Sequence, residues 1–123
     1  MMSQQVPPWL QEQIKQYQQT QSNLQAMAAQ QQQLEMERIS TERALEELQN
    51  AADGETVYRQ SGPILIRTER QQLISDLEER LELAKTQTAV MEKQRDRLQK
   101  TFREQDAKIQ AALRGGAASP SET

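Results

Sequence analysis

The sequence predicts a mainly α chain, a long antiparallel two-helix coiled coil joined by one β-hairpin that assembles with others into a β-barrel between subunits. Three observations predict it. Only 35% of the 123 residues are hydrophobic and 3% aromatic, too little for an ordinary globular core. Apolar residues recur at alternating steps of three and four in both halves of the chain. Between those halves, DGETVYRQSGPILIRTER at 53–70 replaces Gln- and Glu-rich helix formers with strand formers and turn residues.

The first helix is expected over 8–52. Pro7 and Pro8 suit a helix start, because the missing N–H of a proline at the first helical position would be unsatisfied anyway. Leu10, Tyr17, Leu24, Leu45 and Ala52 share one column spaced by seven, with Gln31 and Arg38 filling it between. Ile14 supports the column early, and Met27, Leu34, Thr41 and Leu48 form its companion from the middle onward. The companion is expected to change side near Leu24. Asp53-Gly54 supplies the stop, since Gly enters the left-handed region readily. Leu24, Met27 and Leu34 keep helical spacing through QYQQTQSNLQAMAAQQQQ, so the Gln-rich tract reads as a solvated helix face.

Residues 53–68 read as a β-hairpin. Thr56 to Gln60 and Ile64 to Arg67 are the strands, and Ser61-Gly62-Pro63 is the turn. A reversal between antiparallel helices needs only about 2–8 residues, so this connection exceeds its topological task. An isolated hairpin is marginal in water. This one would leave an open edge together with Val57, Tyr58, Ile64, Leu65 and Ile66, which makes these five the expected subunit interface. Hairpins of other subunits, paired edge to edge into a closed barrel, would cover them. The alternative is a hairpin folded onto its own helices.

The second helix is expected over 69–114. Thr68 with Gln71 three residues later reads as a capping box. Its seam is Arg70, Ile74, Leu77, Leu81, Ala84, Thr88, Met91, Arg95, Leu98, Phe102, Gln105, Ile109 and Ala112, nine of these thirteen being apolar. Gly115-Gly116 closes the helix, and the tail 115–123 is expected to be disordered. Antiparallel packing about Ser61 would set Leu48 against Ile74, Leu45 against Leu77, Leu24 against Leu98, and Tyr17 beside Phe102 and Gln105. Polar seam members Gln31, Arg38, Thr88 and Arg95 then read as register-setting residues. Val6, Trp9, Leu10, Ile14, Ile109 and Leu113 would meet where the helix ends are least covered, and are the candidate binding residues of that tip.

Chemistry is narrowed by what is missing from the composition. With neither Cys nor His, the usual zinc, haem and iron–sulfur ligand sets are absent, and so is the commonest general base. A net charge of −3 with both signs interspersed gives no basic stripe for nucleic acid. No run approaches about 18 apolar residues and no signal-like start is seen, so a soluble, cytoplasmic, non-enzymatic protein without cofactor, metal or membrane partner is expected.

The ALEEL at 44–48, the following VYRQSGPILIRT at 57–68 and the closing KIQAALRGG resemble the beta class of the prefoldin family, archaeal type, across nearly the whole chain. The resemblance implies one beta-like domain over 1–123 and a chaperone without ATPase activity. It further implies a hexamer of two alpha and four beta subunits whose hairpins form a double-barrel platform. Coiled-coil tentacles would hold unfolded polypeptides at their tips and deliver them to a group II chaperonin. The competing class is a static coiled-coil scaffold that binds fixed, folded partners.

Overall fold

The computed structural model describes residues 6–115. In chain order these are helix α1, Pro8–Asn50, strand β1, Val57–Ser61, strand β2, Ile64–Thr68, and helix α2, Arg70–Arg114. Two long helices with one antiparallel hairpin between them is the fold class expected. The chain forms two compact units, a terminal unit from Met1–Ala29 with Met91–Thr123 and a hairpin unit from Gln30–Val90. Apart from Gly115, the tail expected to be disordered lies outside the described residues, as does Gly116 of the closing glycine pair.

All thirteen positions of the α2 seam are buried or half-buried, polar members included. That pattern is what a 3.5-residue repeat produces when one stripe of a helix faces a partner. In α1 the column of Leu10, Tyr17, Leu24, Gln31, Arg38 and Leu45 is likewise covered, and Ala52 is not, because the helix has ended before it. The companion column corrects an expectation. It does not change side near Leu24; it continues toward the N-terminus through Thr20 and Gln13 to Val6, each seven residues apart. Thr20 is buried at 6% exposure, and its hydroxyl donates to the Gln16 carbonyl at 3.0 Å, so the polar group is satisfied inside the seam.

The helix ends follow backbone chemistry. The amides of Leu10 and Gln11 both donate to the Pro7 carbonyl, at 3.0 and 2.9 Å, with Pro8 as the first helical residue. α1 stops at Asn50, ahead of the glycine expected to stop it. Gly54, at φ 86°, instead occupies the third position of a turn closed by the Glu55 amide donating to the Ala52 carbonyl at 3.1 Å. A positive φ there is the requirement of a type II turn. The capping box at Thr68 is corrected as well. Thr68 pairs with Val57 in the sheet, and the first α2 bond runs from the Leu73 amide to the Glu69 carbonyl at 3.0 Å. The strand claims Thr68, and the helix begins one residue later than its capping pattern suggested.

Candidate functional site

In the hairpin unit β1 and β2 pair antiparallel in the register Val57–Thr68, Tyr58–Arg67, Arg59–Ile66, Gln60–Leu65 and Ser61–Ile64. Gly62 and Pro63 alone form the loop. Gly62 sits at φ 57°, and a two-residue hairpin with positive φ at its first position and a proline-compatible second is the form that matches strand twist. Opposed residues share a face, so Val57, Ile64 and Ile66 lie on one side with Arg59, whereas Tyr58 and Leu65 lie on the other with Gln60 and Arg67. The hairpin is therefore apolar on both faces. Tyr58, Ile64, Leu65 and Ile66 are exposed, Leu65 at 67%, and Val57 is half-buried. The one contact layer the chain offers, near Leu48, Leu73 and Leu77, meets only Val57 and Tyr58.

Arg70 ties this hairpin to the end of α1. Its Nε donates to the Leu48 carbonyl at 2.9 Å, its Nη2 to the Gln49 carbonyl at 2.8 Å, and its Nη1 lies 3.3 Å from the Asp53 carboxylate. The last carbonyls of a helix are orphan acceptors at the negative end of its dipole, and a planar guanidinium can serve several at once. The heptad pattern had Arg70 as a polar seam member only. The available signal was a cation just after the hairpin, opposite the end of the preceding helix.

Another polar seam member, Arg38, turns away from the partner helix. It donates to Glu35 through Nε, at 3.0 Å to Oε2, and also through Nη2, and to Glu42 through Nη1 at 2.7 Å. These contacts hold the Glu35 carboxyl below its ordinary value, chiefly through the hydrogen bonds from Arg38.

In the terminal unit the candidate tip residues converge, but not as uncovered ones. Leu10, Ile109 and Ala112 form a buried cluster, and Val6, Trp9, Ile14 and Tyr17 pack against it. Leu10, at 1% exposure, is the most deeply buried large side chain described. The premise that Leu10 and Ile109 keep few intramolecular partners is thus corrected. Val6 extends the seam beyond Leu10, and small Ala112 lets the two helices approach there. Burial of Leu10 is worth about 1.5–3 kcal/mol. Tyr17 stacks on Phe102, ring centroids 4.6 Å apart and planes 13° from parallel, as the antiparallel register required. Of the six candidates Leu113 is exposed, at 55%, and Val6, Trp9 and Ile14 are half-covered.

Among the described residues no group of acidic side chains could hold a metal ion, and no helix is long and apolar enough to cross a membrane.

Comparison with known proteins agrees with this geometry. Residues 11–116 match the family described as prefoldin subunit. The prefoldin subunit beta of Methanosarcina acetivorans is 37% identical over 91% of this chain and 96% of its own length. That of Archaeoglobus fulgidus is 35% identical over 88% and 93%. A crystal structure of the prefoldin beta subunit from Thermococcus strain KS-1 superposes with a TM-score of 0.78 at 28% identity, over 91% of this chain and 98% of that one. A heptad-patterned helix pair joined by a single apolar hairpin, matched in sequence and in backbone over nine-tenths of its length, belongs to the prefoldin subunit family and within it resembles the beta subunits.

Proposed function

We propose that the chain is a subunit of an ATP-independent chaperone, a holdase that captures unfolded polypeptides and passes them to a group II chaperonin in the cytoplasm. Membership of the prefoldin family supports the chaperone role and assembly with other prefoldin subunits. The observation that carries assembly is the hairpin, whose Tyr58, Ile64, Leu65 and Ile66 stand in solvent. Apolar burial is worth about 25 cal/mol per Å², so such a surface associates when a complementary one is present. The partners are alpha-class subunits, two alpha with four beta, joined through hairpins that close into barrels and so leave no strand edge open.

Client capture belongs to the terminal unit. Exposed Leu113 and half-covered Val6, Trp9 and Ile14 make first contact, and Leu10 and Ile109 become available only when the two helix ends part. Each contact is weak and non-directional. Several tips on one platform raise avidity by about 10² to 10⁴ where geometry lets them bind together. Nothing in the sequence resembles a Gly-rich phosphate loop, and capture by burial needs no nucleotide. The closed terminal cluster favours the rival reading, a static scaffold with fixed partners.

Suppression of aggregation of an unrelated unfolding protein separates the two. The chain assembled with an alpha-class partner should protect it equally with and without ATP. Absence of protection by the assembled complex would favour the scaffold, and protection that requires ATP hydrolysis by this chain would overturn the holdase.

A further inference from the structure

A groove runs beside the hairpin within the hairpin unit. Ala44, Leu73 and Leu77 form its apolar floor, and Tyr58, Arg59 and Gln60 of β1 form one wall. Successive side chains of a strand point to opposite faces. Three consecutive β1 residues on one groove therefore mean that it follows the strand's edge, not a face of the sheet. An edge carries a row of N–H and C=O groups that an extended backbone satisfies and a helix does not. The helical walls are acidic, with Asp76 and Glu79 set against Arg80, and Glu47 in the adjoining recess below Val57 and Tyr58.

We infer that this groove receives strand β2 of a second copy of the chain, so that neighbouring subunits join β1 edge to β2 edge. The proposal rests on the reading of the hairpin as the assembly element and specifies its geometry. β2 fits the groove in shape and in charge. Ile64, Leu65 and Ile66 are all exposed, and Arg67, the one charged residue of the strand, would meet the Asp76 and Glu79 carboxylates. β1 fits it less well, because Val57 is already half-covered and Arg59 already lines the groove of its own chain. Joining two different edges is a head-to-tail contact. Repeated with a suitable rotation it closes into a ring, which leaves no edge open.

The chain has no cysteine, so single introduced cysteines report contacts without background. Full-length Leu65→Cys and Leu73→Cys variants carrying different tags, mixed and mildly oxidised, should yield the mixed disulfide dimer, and neither variant alone should dimerise covalently. Asp76→Arg with Glu79→Arg should weaken self-association on the order of tenfold, and adding Arg67→Glu should restore it. Gln60→Cys dimers in place of the mixed product would mean β1 pairs with β1, which overturns the proposal. So would oligomers that form normally with no 65–73 crosslink, whatever partner then fills the groove. If Ile64→Asp with Ile66→Asp dissociates such oligomers, assembly through the hairpin stands and only the groove is lost. A chain that does not self-associate overturns the groove as well.

Discussion

The hairpin and the terminal cluster carry similar side chains and meet opposite fates. Ile64, Leu65 and Ile66 lie bare, while Leu10 and Ile109 are sealed. Composition does not separate them. What differs is whether the chain supplies a second layer. In the terminal unit α1 and α2 present one seam to each other, and Val6 and Trp9 extend its cover past the last heptad residue. A two-stranded sheet has two faces and two edges, and the helices beside it offer a surface to Val57 and Tyr58 alone. Apolar residues that a chain cannot cover point to an interface. Those it can cover contribute stability first, and bind only at the cost of opening.

That contrast is broken most directly at the hairpin. Replacing Ile64 and Ile66 by Asp should dissociate the assembly and leave helical circular dichroism and the melting of the single chain nearly unchanged, because neither residue has cover to lose. A fully assembled double variant, seen by native mass measurement, would show that the exposed faces are not the interface.

The terminal unit should respond in the reverse way. Leu10→Ala should cost about 2–5 kcal/mol, as large-to-small changes at buried sites do, and leave assembly intact. Leu113→Ala should change stability by less than about 0.5 kcal/mol, as exposed positions do, yet lower aggregation suppression. Denaturant titration beside a client assay checks both. Equal destabilisation by the two variants would erase the distinction drawn between sealed and bare residues.

Arg70→Met sharpens the comparison from a third position. Loss of its bonds to the Leu48 and Gln49 carbonyls should cost about 1–3 kcal/mol, concentrated in the hairpin unit. Amide hydrogen exchange should quicken at 48–58 and stay unchanged around Leu10 and Ile109. Uniform quickening would mean that the two units unfold as one.

The smallest effect is electrostatic. Arg38 holds the Glu35 carboxyl below its ordinary value of 4.5, so the pair's stabilisation is present above that value and is lost as pH falls through the depressed folded one. Both groups face solvent, which screens the pair. Glu35→Gln should lower the melting temperature slightly at neutral pH, and the difference from the unmutated chain should vanish in acid. A difference that persists unchanged below pH 3 would assign the effect to helix propensity.

Much was legible without coordinates because it is local or periodic. The thirteen α2 seam positions, the stacking of Tyr17 on Phe102 and the two positive-φ glycines all follow from spacing, antiparallel register and turn chemistry. The α1 companion column was misread where Gln13 and Thr20 stand. Polar residues break the apolar signal, and a threonine that bonds its own Gln16 carbonyl can be buried without a partner across the seam. Helix boundaries missed by one or two residues where a turn or strand claimed the terminal ones, as with Thr68.

By itself the sequence determined two heptad helices, one hairpin between them and family membership, since periods, turn residues and local motifs are written into neighbouring positions. Only the tertiary structure decided which apolar residues are covered. Arg70 on the end of α1, Leu10 inside the terminal cluster and the groove along β1 each depend on residues far apart in the chain meeting. Hydrophobic burial is non-directional, so identity alone cannot tell a sealed leucine from a bare one; the presence of an opposing surface does.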